Sequence, residues 1–136
     1  MKRVLIACLL LSSCGNPTVQ TPAPPNSPQT QVLNIDKTLA DSINAAVKTA
    51  ISLRNQGQVS AADVNTIENW AKAAAILDDQ IATELGSADP WTVQKQKILL
   101  LLPGFQIPIT GTINQTLAAS LAAVTTTVNL IRAQVQ

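Results

Sequence analysis

The chain has 136 residues, enough for one domain, with nine Lys and Arg balanced by eight Asp and Glu. Charge this sparse and even excludes the clustered basic surface that phosphate binding needs, so no nucleic-acid partner is expected. Histidine and tyrosine are absent and both cysteines, Cys8 and Cys14, lie near the start, which excludes a disulfide framework and leaves only carboxylates and lysines for acid–base work.

The first element is an export signal. Lys2 and Arg3 precede an almost continuous apolar run from Val4 to Leu11, followed by Ser12 and Ser13. Charge, short apolar run and small residues in that order form the n-region and h-region of a secretory signal. The run is too short to span a bilayer, which takes about 20 apolar residues.

Leu11, Ser12, Ser13 and Cys14 resemble the lipobox of bacterial lipoproteins: an aliphatic residue, two small residues and a cysteine. The resemblance covers only residues 1–14. It implies cleavage after residue 13, a diacylglyceryl group on the sulfur of Cys14 and acylation of the new N-terminus. It also implies a membrane as partner, through that lipid. In enteric-type sorting, aspartate after the cysteine retains a lipoprotein in the inner membrane; Gly15 stands here, which favours the outer membrane. Two or three acyl chains on one residue anchor durably, since each buried methylene contributes about 0.8 kcal/mol. Cys8 lies in the removed segment and receives no role. The processed chain keeps seven basic side chains against eight acidic ones.

Residues 14–33 read as a tether. Five of the eight prolines fall here, at Pro17, Pro22, Pro24, Pro25 and Pro28, among Asn, Thr, Ser and Gln, and no charge occurs between Gly15 and Ile35. Proline fixes φ and removes backbone donors, so a disordered stretch with polyproline II character is expected. About 17 such residues reach roughly 50 Å. Two P-x-x-P spacings, Pro22 to Pro25 and Pro25 to Pro28, arise readily in such a tract and read as spacer.

Residues 34–136 read as a helical domain. Ile35, Leu39, Ile43, Val47, Ala50 and Leu53 step by threes and fours, which predicts a helix over 35–56 with Asn34 as N-cap and Gly57 as stop. Ser60 and Asp63 have capping-box spacing, with Asp in place of the usual Glu or Gln. The stripe Val64, Ile67, Ala71, Ala74, Leu77, Ile81 and Leu85 then predicts a helix over 61–85, closed by Gly86. Asp89 before Pro90 predicts an N-cap and a third helix over 90–102, stopped by Pro103 and Gly104. An ordered apolar loop follows, from Phe105 to Gly111. Thr112 and Gln115 suggest a second capping box, and the stripe from Ile113 to Val135 predicts a helix over 113–135. Lone helices of this length are marginal in water, so their stripes must pack together. The expectation is an all-α fold: a small up-down four-helix bundle with one short member, its open side covered by the 103–111 loop.

Candidate sites are few. Asp78 and Asp79 are adjacent, about 100° apart on a helix, and read as a solvated face rather than a shared pair. They lack the additional oxygen ligands of a calcium loop, and neither metal nor cofactor is expected. Ile98 to Leu102 is an unbroken aliphatic run, expected to be buried on every side. If it instead lines an apolar contact site, Trp91, Ile98, Leu101, Leu102 and Phe105 would form it. Trp70 beside the second stripe reads as packing, Lys95 and Lys97 as a small solvated basic spot, and Asn114 to Thr116 as a chance glycosylation triplet. Three threonines at 125–127 have no account from sequence. The composite expectation is a non-enzymatic, lipid-anchored envelope protein that binds another envelope protein or serves structurally. The alternatives are a carrier of an apolar ligand and a phage-encoded lipoprotein of lysis or exclusion.

Overall fold

A computed structural model describes residues 24–109 and 111–136 of the chain. The expected signal segment, Cys14 and the tether up to residue 23 lie outside the described residues. Four α-helices make up the fold: α1 (Pro28–Asn55), α2 (Ala61–Leu85), α3 (Trp91–Leu101) and α4 (Gln115–Val135), with a 3-10 turn at Leu102–Phe105. There is no strand among the described residues. The protein is an all-α helical bundle.

The first helix starts seven residues before the expected Ile35, so residues 28–33 are helix and not tether. Pro28 takes the first helical position, where its missing N–H would have no intrahelical partner anyway. The N-cap is Ser27, not Asn34: its Oγ accepts from the backbone N–H of Thr30 at 3.2 Å. A turn precedes it, with the N–H of Ser27 donating to the carbonyl of Pro24 at 2.9 Å. At the other end Gly57, at φ +71°, makes the left-handed turn that lets Gln58 donate to the carbonyl of Leu53 and Gly57 to that of Arg54, both at 2.9 Å.

Helix α2 has the expected bounds. Ser60 Oγ accepts from the N–H of Asp63 at 3.1 Å and donates to its Oδ2 at 2.6 Å, so the box closes through the hydroxyl. Asp89 does not cap α3; Pro90 occupies that position and Asp89 accepts from Lys97 Nζ at 2.6 Å. The cap of α4 is Asn114 rather than Thr112, its Oδ1 accepting from Thr116 N–H at 2.9 Å.

Long-range pairings fix the directions. Asn114 Nδ2 donates to Gln58 Oε1 at 3.0 Å and Ser120 Oγ to Thr49 Oγ1 at 3.2 Å, so α4 runs antiparallel to α1. Lys97 reaches Glu84, and Trp70 Nε1 donates to the carbonyl of Phe105 at 3.4 Å, so α3 and the 3-10 turn run back along α2. The order is up, down, up, down. Ile107, Ile109 and Ile113 of the following segment pack against the core where α3 is too short to reach, as expected of that loop.

The core follows a heptad on each long helix. In α1 it is Val32, Asp36, Leu39, Ile43, Ala46, Ala50 and Leu53; in α4 it is Leu117, Leu121, Val124, Val128, Ile131 and Val135. Alternating steps of four and three keep one seam facing the neighbours, the geometry of left-handed bundles. Ile35 and Val47, expected in the α1 seam, flank it instead. Alanines at 46, 50, 71 and 74 are fully or nearly buried and let α1 and α2 approach closely. Helix α4 is long and apolar enough to cross a membrane by length and composition. Its seam residues are buried in the bundle, and 33% of its most apolar 18-residue stretch is buried. Of the three threonines, Thr127 is buried and donates to the carbonyl of Ala123 at 2.8 Å, while Thr125 and Thr126 are exposed.

The run Ile98 to Leu102 is not buried on every side. Ile98 and Leu102 are fully enclosed, whereas Leu100 is 80% exposed. Helix α3 lies on one face of the bundle and has no fourth neighbour to cover its outer side. Replacing Ile98 with Ala is expected to cost about 2–5 kcal/mol, and replacing Leu100 with Ser to stay within about 0.5 kcal/mol. Ser27→Ala is expected to cost about 1 kcal/mol and Asn34→Ala almost nothing. Urea denaturation of the four variants checks both contrasts.

Candidate functional site

The residues expected to form an apolar contact site do not come together as one site. Ile98, Leu102 and Phe105 belong to the core, and Trp91 and Leu101 are half-buried at its edge. Leu102 and Phe105 do show one side to a groove of about 360 Å³, walled by Ile107 and Val128 and rimmed by Gln106, Thr125, Asn129 and Arg132. Neither Ile98 nor Trp91 lines it. Leu101 borders a separate shallow cleft with Gln80, Thr83, Glu84 and Lys97. Trp70 is 6% exposed and packs in the core as expected.

The expected basic spot is a set of paired groups. Lys97 Nζ lies 2.6 Å from Asp89 Oδ2 and 3.2 Å from Glu84 Oε2, and these carboxylates, Asp89 first, hold its amine above the usual lysine range. Lys95 Nζ donates to the carbonyl of Gln136 at 3.2 Å. Between them Gln94 is buried, and its Nε2 donates to the carbonyl of Ser87 at 3.1 Å. This network ties the α2–α3 connection to α3 and the end of α4.

A different cluster was missed by the sequence reading. Asp36 is only 4% exposed, in the α1 seam between Val32 and Leu39. Asp78 lies across from it on α2, near enough for each carboxyl to shift the other. Two ionised carboxylates have only acceptors, so any hydrogen bond between them requires a proton on one. Oδ1 of each residue is buried without a hydrogen-bond partner. Burial raises the Asp36 carboxyl most, followed by the charge of Asp78 and the hydrogen bond to it, with Asp79 adding less; the result is a pKa of about 8. Burial also raises Asp78, while the hydrogen bond from Asp36 opposes that rise. The adjacent Asp78 and Asp79 therefore do not share one solvated face: Asp78 turns inward to Asp36, and Asp79 stays exposed.

Continuing the α2 steps through Ala71 and Ala74 reaches Asp78 before Ile81, so Asp78 occupies a seam position like Asp36. The sequence reading followed apolar letters and took Leu77 instead. Strict alternation of three and four is the signal that points to both residues.

A groove of about 480 Å³ runs along the outer side of the α1–α2 seam and ends at Asp78. Its floor is Ala40, Ile43, Val47, Ala71 and Ala75, with Asn44, Glu68 and Lys72 on the rim. Asp78 lines this groove and Asp36 does not, so the deeper carboxyl is screened by its partner. The pair can hold and release one proton. Among the described residues no group of three or more Cys, Asp or Glu is placed to hold a metal ion.

The pair makes stability depend on pH. The folded chain keeps a proton on Asp36 between about pH 4 and pH 8 that the unfolded chain has released. Stability is therefore greatest at the acidic end of that window, falls as pH rises through it, and levels off above about pH 8. Thermal denaturation across the window is expected to show this decline, and Asp36→Asn to flatten it. Replacing both Asp36 and Asp78 with Leu completes an apolar seam and is expected to add about 1–4 kcal/mol above the window, measured by urea denaturation.

Comparison with known protein families, with curated proteins and with solved structures finds no match.

Proposed function

We propose that the chain is a small, non-enzymatic lipoprotein of the bacterial cell envelope, anchored through Cys14 and favoured for the outer membrane. The observation that carries this reading is the order Lys2, Arg3, apolar run, Leu11, Ser12, Ser13, Cys14. The proline-rich residues after Cys14 act as a spacer between lipid and bundle. The bundle is the working part, binding another envelope protein or acting as a structural module. Exposed apolar side chains support a protein partner: Leu33 and Ile51 on α1, Leu99 and Leu100 on α3, Leu130 on α4.

A second reading is a carrier of an apolar ligand. The groove walled by Leu102, Phe105, Ile107 and Val128 favours it, with Arg132 at the rim. Native mass spectrometry separates the two. A co-purifying amphiphile that Val128→Trp displaces supports the carrier; empty protein supports the module.

Metabolic labelling with radioactive palmitate tests the anchor. Label is expected on the wild-type chain and absent from Cys14→Ser, which should also run larger because residues 1–13 stay attached. Equal labelling of the two chains would end the anchor reading.

A further inference from the structure

The buried carboxyl pair sits at a particular place in the bundle. On the α1 seam only Val32 lies between Asp36 and the start of the helix. On the other side five apolar seam residues, Leu39, Ile43, Ala46, Ala50 and Leu53, continue to its end. The pair is thus the inner boundary of a short terminal segment, residues 28–36, whose docking rests on Val32, the flanking Ile35 and the Asp36 contact. Such segments are the parts of a fold that open separately from the whole.

Among the described residues no cation bonds the pair to neutralise it once its proton is lost. From α2 the charges acting on Asp36 are Asp78 and Asp79, both acidic. On α1 the neighbouring Lys37 is exposed, and on α2 Lys72 stands at the groove rim. From α3, Lys95 bonds the Gln136 carbonyl and Lys97 bonds Glu84 and Asp89. From α4, Arg132 donates to Asn129 at 3.2 Å. None of these cations bonds either carboxyl. The Oδ1 atoms also have no partner to absorb a second negative charge. Two facing carboxylates in a seam of low polarity repel, and the least costly relief is separation of the shorter side.

We propose that Asp36 and Asp78 form a proton-operated latch: with one proton between them the first turns of α1 stay docked on α2, and without it residues 28–36 come away while the rest of the bundle holds. The segment it releases is the one that joins the bundle to residues 24–27.

Hydrogen exchange of the full chain, read by mass spectrometry and corrected for the intrinsic pH dependence of exchange, tests this. Between about pH 6 and pH 9, protection over residues 28–36 is expected to fall by about tenfold or more, while residues 43–53 keep theirs. Asp36→Asn places an amide donor where the protonated carboxyl stood, so protection over 28–36 should no longer depend on pH. Asp78→Asn supplies the same donor from the other side and should behave alike. The latch is overturned if both halves of α1 lose protection together, if neither does, or if the drop over 28–36 persists in a folded Asn variant. The wild-type comparison of the two halves decides the matter even where a variant does not fold.

Discussion

The seam of α1 is the constraint on which the rest of the structure depends. One face of this helix is buried from Val32 to Leu53, against α2 on one side and α4 on the other. Because both neighbours run antiparallel to α1, they are parallel to each other, and they are held in place largely through it. The space left between α2 and α4 is filled by α3, the 3-10 turn, and the side chains of Ile107, Ile109 and Ile113. Many seam positions are alanine, so close approach contributes where side-chain area is small. Ile43, Ile67, Ile81, Ile98 and Ile131 supply the bulk.

Within that seam one layer is polar. A buried carboxyl costs stability unless it is neutralised or bonded, and here the neutralising agent is a proton shared with a second carboxyl rather than a lysine or arginine. A heptad position occupied by a polar group constrains which layers can face each other, since sliding α1 along α2 by one heptad would set each aspartate against an apolar side chain. The same layer that favours one register also makes the α1–α2 contact sensitive to proton activity. These two consequences come from one pair of residues and do not need separate devices.

The aliphatic run of α3 shows how a short helix divides a uniform sequence. Ile98 and Leu102 point into the bundle, while Leu99 and Leu100 are left outside because no further helix covers that face. Leu33 and Ile51 on α1 and Leu130 on α4 are likewise exposed. The groove beside Phe105 is a recess with a cation at its edge.

Local signals in the sequence determined the helical class, the four elements and most of their ends. Ser60 and Gly86 bound α2 correctly because capping and helix termination are decided within a few residues. The α4 stripe was legible for the same reason: every seam position in it is apolar. The start of α1 was misread because proline was taken as a bar to helix, although at the first helical position it is neutral, and what extends the helix is the burial of Val32 against distant elements. The resemblance of Leu11, Ser12, Ser13 and Cys14 to a lipobox is wholly a matter of sequence. The carboxyl pair is not. Each aspartate can be assigned to a seam by counting threes and fours, but Asp36 and Asp78 are 42 positions apart, and only the antiparallel docking of α1 on α2 brings them into one layer. The raised pKa of Asp36 is a property of that contact, where burial and a second carboxyl act together.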